Sequence, residues 1–284
     1  MPTITPSPYQ LQLGHAQSFR GLALVPLFNP SEPVLEYIGL DEAVARGLSI
    51  TEVDHSGSVN TLLVANPTDA NALLFEGEEL VGAKQNRVLD RTFLVAAGAK
   101  QPVPVNCVEH GRWSYRSNTF APAPRAAHPT GRYSARVGGQ SGVWSEIAAK
   151  SQRLDAFSPT DAADVMYDKH ASSLDEYSSA LPRQTGQCGA IVCLAGRVVC
   201  LDFVSRSEVY AGLYAKLLRG YALDAVEQPI DAPLPTEYID RLLARLPRAS
   251  RGATGELQGR GFIGSELGVD GEPIALSVFP SGRA

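Results

Sequence analysis

Reactive side chains are densest in Glu76-Gly77-Glu78-Glu79-Leu80-Val81-Gly82-Ala83-Lys84-Gln85-Asn86-Arg87, where three carboxylates, a lysine, two amides and an arginine fall within 12 positions. Such a set suits the walls of a polar ligand site. Neighbouring carboxylates do acid–base work when burial pushes their pKa values apart, and they also hold hard cations. The competing reading is an exposed hairpin tip whose charges pair with one another. Against it, Gln85 and Asn86 add no solubility beyond what the charges supply, and Gly77 and Gly82 suggest a specific backbone path.

The second reactive stretch is Cys107-Val108-Glu109-His110-Gly111-Arg112-Trp113-Ser114-Tyr115-Arg116. A thiol near a histidine and an arginine is the composition of an activated thiolate. Cys107 and His110 are three apart at a strand end, however, and tend to opposite faces, which disfavours a nucleophilic pair. Trp113 and Tyr115 share a face if the segment is extended, with Arg112 and Arg116 on their flanks. Aromatic surface with guanidinium suits a base or a nucleotide phosphate. The alternative is a core tryptophan with arginines snorkelling to water.

Other motifs fall away on context. Gly259-Arg260-Gly261-Phe262-Ile263-Gly264 matches the dinucleotide-binding pattern, but strand-like residues follow where a helix is required. Cys107, Cys188, Cys193 and Cys200 form no C-x-x-C pair and have no histidine at a zinc-ligand offset, so no structural zinc site is expected. Few cysteines fit a reducing compartment.

These residues need elements to position them. Apolar strands are expected at Leu22–Phe28, Ile50–Val53, Val59–Ala65, Ala72–Phe75 and Val88–Val95. Val103–Val108 follows as an edge strand because of Pro102 and Pro104. Their short turns predict an antiparallel sheet or sandwich. Asp41 is placed to N-cap a short helix that Gly47 ends. Phe120 to Gly142 is poor in apolar residues and rich in Ala, Pro, Gly, Ser and Arg, and reads as a long mobile loop. Helices are expected from Val143 to Leu154, from the Ser158–Asp161 opening, from Glu176 to Leu181, from Glu208 to Ala225 and from Thr236 to Leu246. Ala190–Phe203 is a hairpin about Ala195-Gly196, with Cys193 facing Val198 and Cys200 facing Ile191. Two strands, Gly261–Leu267 and Ile274–Phe279, close the chain. The fold class that results is α+β: an antiparallel β-rich N-terminal half, a helical insert, a hairpin and C-terminal helices packed on the sheet. We expect an irregular segment over residues 1–19, then one domain over 20–284 with a mobile Arg-rich loop at about 118–142.

Composition supports a folded chain. The 284 residues are 44% hydrophobic and 19% charged, which excludes disorder as the main state. The net charge of −5 gives no global pull toward nucleic acid or anionic membrane. Charge is nevertheless uneven. His110 to Ser145 has no Asp or Glu but contains Arg112, Arg116, Arg125, Arg132 and Arg136, a local +5 that fits a phosphate- or carboxylate-bearing ligand. The N-terminus lacks a basic region followed by an apolar one, and no apolar run approaches membrane-spanning length. The expectation is a soluble cytoplasmic protein with neither nucleic-acid nor membrane partners.

The Gly77–Arg87 and Cys107–Tyr115 stretches together resemble the signature of a bacterial and archaeal domain family. It is the family named for association with ADP-ribosylglycohydrolase and rhodanese-phosphatase proteins, a domain of unknown function. Leu40–Gly47, Gln140–Trp144 and Lys216–Ala225 are similar as well, so the resemblance covers roughly residues 20 to 280. His110 stands where many members have Gln, which implies no general role for that imidazole. By association only, the resemblance implies a link to NAD-derived or ADP-ribose metabolism, and it transfers no catalytic residue and no cofactor.

The combined expectation is a module that binds or processes a phosphorylated, nucleotide-like small molecule. Glu76, Glu78, Glu79, Lys84, Gln85, Asn86 and Arg87 form one wall, and Glu109, Arg112 and Trp113 the other, with the Arg-rich loop as lid. A carboxylate among Glu78, Glu79 and Glu109 would be the base or metal ligand of a hydrolytic or glycosidic reaction. The alternatives are an interaction or scaffold module with a protein partner, and a purely conformational role for the motif.

Overall fold

The structure, a computed structural model, describes residues 11–31, Pro33 and 35–281. Residues 1–10 of the expected irregular segment lie outside the described residues. The chain forms two compact units: Met1–Leu35, Leu181–Ala211 and Gln228–Ala284 make the first, Glu36–Ala180 and Gly212–Glu227 the second.

The chain starts in the first unit with β1 (Gln12–Leu13), β2 (Gln17–Phe19) and β3 (Leu22–Phe28), so residues 11–19 carry two short strands. It then builds the second unit from β4 (Tyr37–Gly39), α1 (Leu40–Ala45), β5 (Ser49–Glu52), β6 (Thr61–Ala65), β7 (Asn71–Leu74), β8 (Glu78–Gly82), β9 (Arg87–Leu89), β10 (Phe93–Val95), β11 (Lys100–Cys107) and β12 (Phe120–Ala126). Three helices follow: α2 (Pro129–Arg153), α3 (Asp164–Lys169) and α4 (Ala171–Ala180). Six strands form one sheet in the order β12-β8-β9-β11-β6-β5, and three form another, β10-β7-β4. Alternation of side chains along β5 and β6 sends Ile50, Leu62 and Val64 inward. There they meet Leu74, Leu80, Leu89, Val103, Val105 and Phe120 in a single core drawn from both sheets. All pairings are antiparallel except β4 with β7.

Returning to the first unit, the chain adds β13 (Gln187–Leu194), β14 (Arg197–Val204), α5 (Ser207–Glu227), α6 (Thr236–Arg245), β15 (Ser250–Arg251), β16 (Glu256–Gly259), β17 (Phe262–Val269) and β18 (Glu272–Pro280). From Gly212 onward α5 belongs to the second unit. The sheet is nine-stranded, β1-β3-β13-β14-β18-β17-β16-β15 with β2 on β3. Ile239 and Leu242 of α6 pack on its Leu27, Ile191, Leu201, Phe203 and Val278 face. The fold class is α+β.

Several local expectations are corrected. The stretch read as a loop over 118–142 is β12 and the first half of α2. Pro122 and Pro124 weaken the strand signal, but β12 is a sheet edge, where missing amides cost nothing. Four glycines in α2 lower its helix propensity, and Pro129 opens it at a permitted first-turn position. Val88–Val95 is two strands, β9 and β10. β11 is interior rather than at an edge. Val105 N donates to Asn60 O (3.0 Å), so Pro102 and Pro104 face away from β6, along the half of β11 that pairs with β6 alone. Asp41 does not cap α1, whose N-cap is Gly39. The Ser158–Asp161 opening precedes a helix that starts only at Asp164. In the β13–β14 hairpin a bulge between Val192 and Cys193 keeps Cys193 opposite Val198 but sets Cys200 opposite Val192. Cys193 therefore joins the α6-facing core, whereas Cys200 lies beside Asp202 on the other face.

Candidate functional site

The acidic motif is a hairpin, β8 and β9 with Glu79 opposite Val88 and Leu80 opposite Arg87. It is not an exposed tip: Glu76, Glu78, Glu79, Lys84, Gln85, Asn86 and Arg87 are all buried. Gly77 has a φ of 88°, and a Cβ there would lie 2.7 Å from Arg132 Cδ. Only glycine gives that backbone path and lets the arginine cross it.

A buried carboxylate must be paired or neutralised, and here each has a cation. Arg125 Nε donates to Glu79 Oε2 (2.7 Å). Lys216 Nζ donates to Glu78 Oε1 (2.9 Å), while Phe75 N donates to its Oε2 (2.9 Å). Glu76 pairs with Arg136 and with Arg132. Glu109, fully buried, pairs with Arg112 (2.6 Å) and Arg116 (3.5 Å). All five arginines of the acid-free stretch thus meet carboxylates of this chain. The local positive charge read from the sequence is the counter-charge of Glu76 and Glu79 of the acidic motif and of Glu109.

The two reactive stretches meet at Glu109. Its Oε2 accepts from Arg112 Nη2 and from Asn86 N (3.1 Å), its Oε1 from Thr160 Oγ1 (3.0 Å). Arg112 also donates to Asn86 Oδ1 (3.2 Å) and Ala83 O (2.6 Å). Gln85 Nε2 donates to Glu109 O (3.0 Å), and its Oε1 accepts from Arg87 Nη1 (2.9 Å). Lys84 Nζ donates to His55 O (2.8 Å). Burial pushes the Glu109 carboxyl up, but the Arg112, Asn86 and Thr160 donors outweigh it and hold it below the ordinary range. For Glu78 and Glu79 burial wins over Lys216 and Arg125, and both are raised. Both oxygens of Glu78 and of Glu109 are occupied by internal donors. Glu79 differs from Glu78 in lining a cavity.

That cavity, about 30 Å³, lies under α2 and is lined by Glu76, Glu79, Asp90, His128, Arg132 and apolar side chains including Val108 and Ile147. It has room for one or two waters, far below the 300–1,000 Å³ typical of small-molecule sites. Small residues of α2, Gly131 and Ala135, form part of its lining. Within α2, Gly139 has φ 54° and ψ −146°, a kink that breaks the helix into two halves. Just past the kink, Gln140 exchanges hydrogen bonds with both backbone groups of Cys107 (2.6 and 2.9 Å). Cys107 itself is buried and its thiol pushed up by burial, while His110 is exposed. Trp113 is no core residue; it is 46% exposed.

Asp90, His128, Thr160 and Lys216 are parts of this cluster that were not singled out in the sequence. The arginine partners had a signal, since an acid-free run close to an acidic motif matches it in number and sign. Lys216 and Asp224 fall in the family-like Lys216–Ala225 stretch, but their charge pattern gave no signal of pairing, because a buried helical charge has the same sequence pattern as a solvated one. Lys150 Nζ reaches Asp224 Oδ1 and Glu227 Oε1, each at 2.6 Å, and ties α2 to α5. Among the described residues no group of three or more His, Cys, Asp or Glu is arranged to hold a metal ion, and no helix is long and apolar enough to cross a membrane.

The fold is α+β, and its second unit holds a charge-paired polar cluster. The family model of the ARG and Rhodanese-Phosphatase-superfamily-associated Protein domain matches residues 10–279, and the chain belongs to that family. The family is associated with the ADP-ribosylglycohydrolase and rhodanese-phosphatase superfamilies, and that association establishes no activity. No curated protein and no solved structure matches the chain.

Proposed function

We propose that this chain binds or processes a phosphorylated nucleotide-like ligand linked to NAD or ADP-ribose metabolism, the processing being hydrolytic or glycosidic. The supporting observation is the cavity under α2, where Glu76 and Glu79 of the acidic motif meet Asp90, His128 and Arg132. Glu79, held protonated toward higher pH by burial, suits a general acid that protonates a leaving oxygen. Arg132 and Arg136, now on Glu76, are the groups a ligand phosphate competes for. The first half of α2 takes the role expected of an Arg-rich lid, and its lifting about Gly139 enlarges the cavity. Glu78, Lys84, Gln85, Asn86, Arg87, Glu109 and Arg112 brace the walls.

Calorimetry with ADP-ribose and with NAD, each with and without divalent metal, tests this reading. Saturable binding that weakens in Glu79→Ala and Arg112→Ala is expected. Absence of binding, together with wild-type behaviour of both variants, sinks it. The second reading, a non-enzymatic interaction module, is favoured by one observation: every charge of the motif already has an internal partner. A stoichiometric protein partner in pull-downs, lost on Trp113→Ala, would support it.

A further inference from the structure

We propose that the exposed rings of Trp113, Tyr115 and His55 form a stacking site for the planar base of a nucleoside 5′-phosphate, with Arg116 as the phosphate contact. The proposal rests on the nucleotide-ligand reading above and specifies which part of such a ligand is held where.

Four observations carry it. First, the ring-bearing segment is fixed to the motif hairpin. Ser114 N donates to Lys84 O (3.3 Å), Arg116 N to Ala83 O (3.0 Å), and Arg112 Nη1 to Ser114 O (2.8 Å). An aromatic platform held this way loses little entropy when a ligand lands on it. Second, Trp113 and Tyr115 are 46% and 42% exposed, although the same unit has an extensive apolar core. Third, Lys84 Nζ lies 5.1 Å from the centroids of both rings. Lys84 is buried, as is Arg87, whose Cζ lies 5.6 Å from the Trp113 centroid, so the rings rest on buried cations while part of their surface stays exposed. The Lys84 donors go to His55 O and Ser56 O, so Lys84 organises the rings. Fourth, the exposed His55 ring is nearly parallel to Tyr115, 21° apart with centroids at 6.1 Å.

A planar ring inserted between two others needs about 7 Å, two contact distances of about 3.5 Å. His55 therefore has to move by at least about 1 Å to admit a base. Around this gap the charge is mixed: Lys84, Arg87, Arg112 and Arg116 against Glu52, Asp54 and Glu109. The buried members are already engaged, Arg87 with Glu52, Arg112 with Glu109, and the Lys84 ammonium with the carbonyls of His55 and Ser56. Arg116 is the exposed cation, with a side chain 57% accessible and its guanidinium on the edge of Glu109. An aromatic face beside an exposed guanidinium recognises a base that carries a phosphate. A sugar phosphate without a base lacks the ring to stack.

The chain has two tryptophans, so Trp144→Phe leaves Trp113 as the sole reporter of its own fluorescence. Titration with AMP and ADP-ribose should quench it saturably, whereas ribose 5-phosphate should not. Tyr115→Ala should weaken AMP binding by about tenfold, the usual size of one stacking contact. Arg116→Ala should weaken AMP but leave adenosine unchanged. If Trp144→Phe fails to fold, calorimetry of AMP on wild type, Trp113→Ala and Tyr115→Ala gives the same comparison at exposed positions. The proposal is overturned if AMP and ADP-ribose leave Trp113 fluorescence unchanged at millimolar concentration, or if ribose 5-phosphate matches AMP. It is equally overturned if a single-stranded oligonucleotide binds and mononucleotides do not. ADP-ribose binding that survives Trp113→Ala removes the platform and leaves the nucleotide-ligand reading standing. AMP stacking on Trp113 with no change in Glu79→Ala and no response to ADP-ribose or NAD removes that reading and leaves the platform.

Discussion

Glu109 shows what a single residue does in this protein. Its carboxylate is fully buried yet bonded by Arg112, Asn86, Thr160 and Arg116, so it joins the two reactive stretches as an anion. Replacing it by Gln leaves Arg112 charged and buried without its anion. Loss of one partner from a buried pair costs about 3–5 kcal/mol, and Glu109→Gln should lower stability to urea by that order. Its folded-state pKa is depressed. Its contribution is therefore present above the ordinary glutamate pKa and lost as pH falls through the folded value. Wild type should lose stability below about pH 4.5 more steeply than Glu109→Gln, as read from urea midpoints along a pH series. An equal slope in the two proteins would refute the anchor role. Glu78 and Glu79 have the opposite sign. Their pKa values are raised, so their contribution is present at low pH and lost as pH rises through the folded values.

At the scale of elements, two backbone conformations are decisive. Gly139 occupies a region of φ and ψ open essentially to glycine, and forcing a side chain there costs about 1–3 kcal/mol. Gly139→Ala should destabilise by that amount. Gly138→Ala, with no atom within 4 Å of its added Cβ, should be neutral or stabilising, because alanine favours helix. Equal thermal midpoints for the two variants would mean that the kink is dispensable. The β13–β14 turn offers the converse. Ala195 and Gly196 both have positive φ, 46° and 73°, the conformation for which Asn-Gly is preferred. Ala195→Asn should raise stability by about 1 kcal/mol, measured as a higher urea midpoint. The hairpin was legible because its two-residue turn, flanking apolar runs and pairing all agree. β12 and the first half of α2 were not. Their prolines and glycines oppose the local state, and pairing with β8 together with arginine–carboxylate contacts outweighs local preference.

At the scale of the whole molecule, each unit is assembled from separated chain segments. The second unit needs Gly212–Glu227 to complete it, since Lys216 and Asp224 supply the counter-charges of buried Glu78 and Lys150. A fragment spanning Glu36–Ala180 alone would bury both ions unpaired. It should show no cooperative thermal transition by circular dichroism. A cooperative melt with native-like ellipticity would show that these pairs are unnecessary for the fold.

By itself, the sequence determined the α+β class, most strands, the long C-terminal helices and the family, because periodicity, turn chemistry and contiguous motifs are local properties. It also placed the reactive residues in two stretches and exposed the charge imbalance between them and their surroundings. Tertiary structure decided what those residues do to one another. Whether an arginine faces a ligand or a carboxylate of its own chain depends on which distant segments share a buried space. Here burial forces each carboxylate of the motif onto a cation, Glu79 onto Arg125 included, while Trp113, Tyr115 and Arg116 stay exposed.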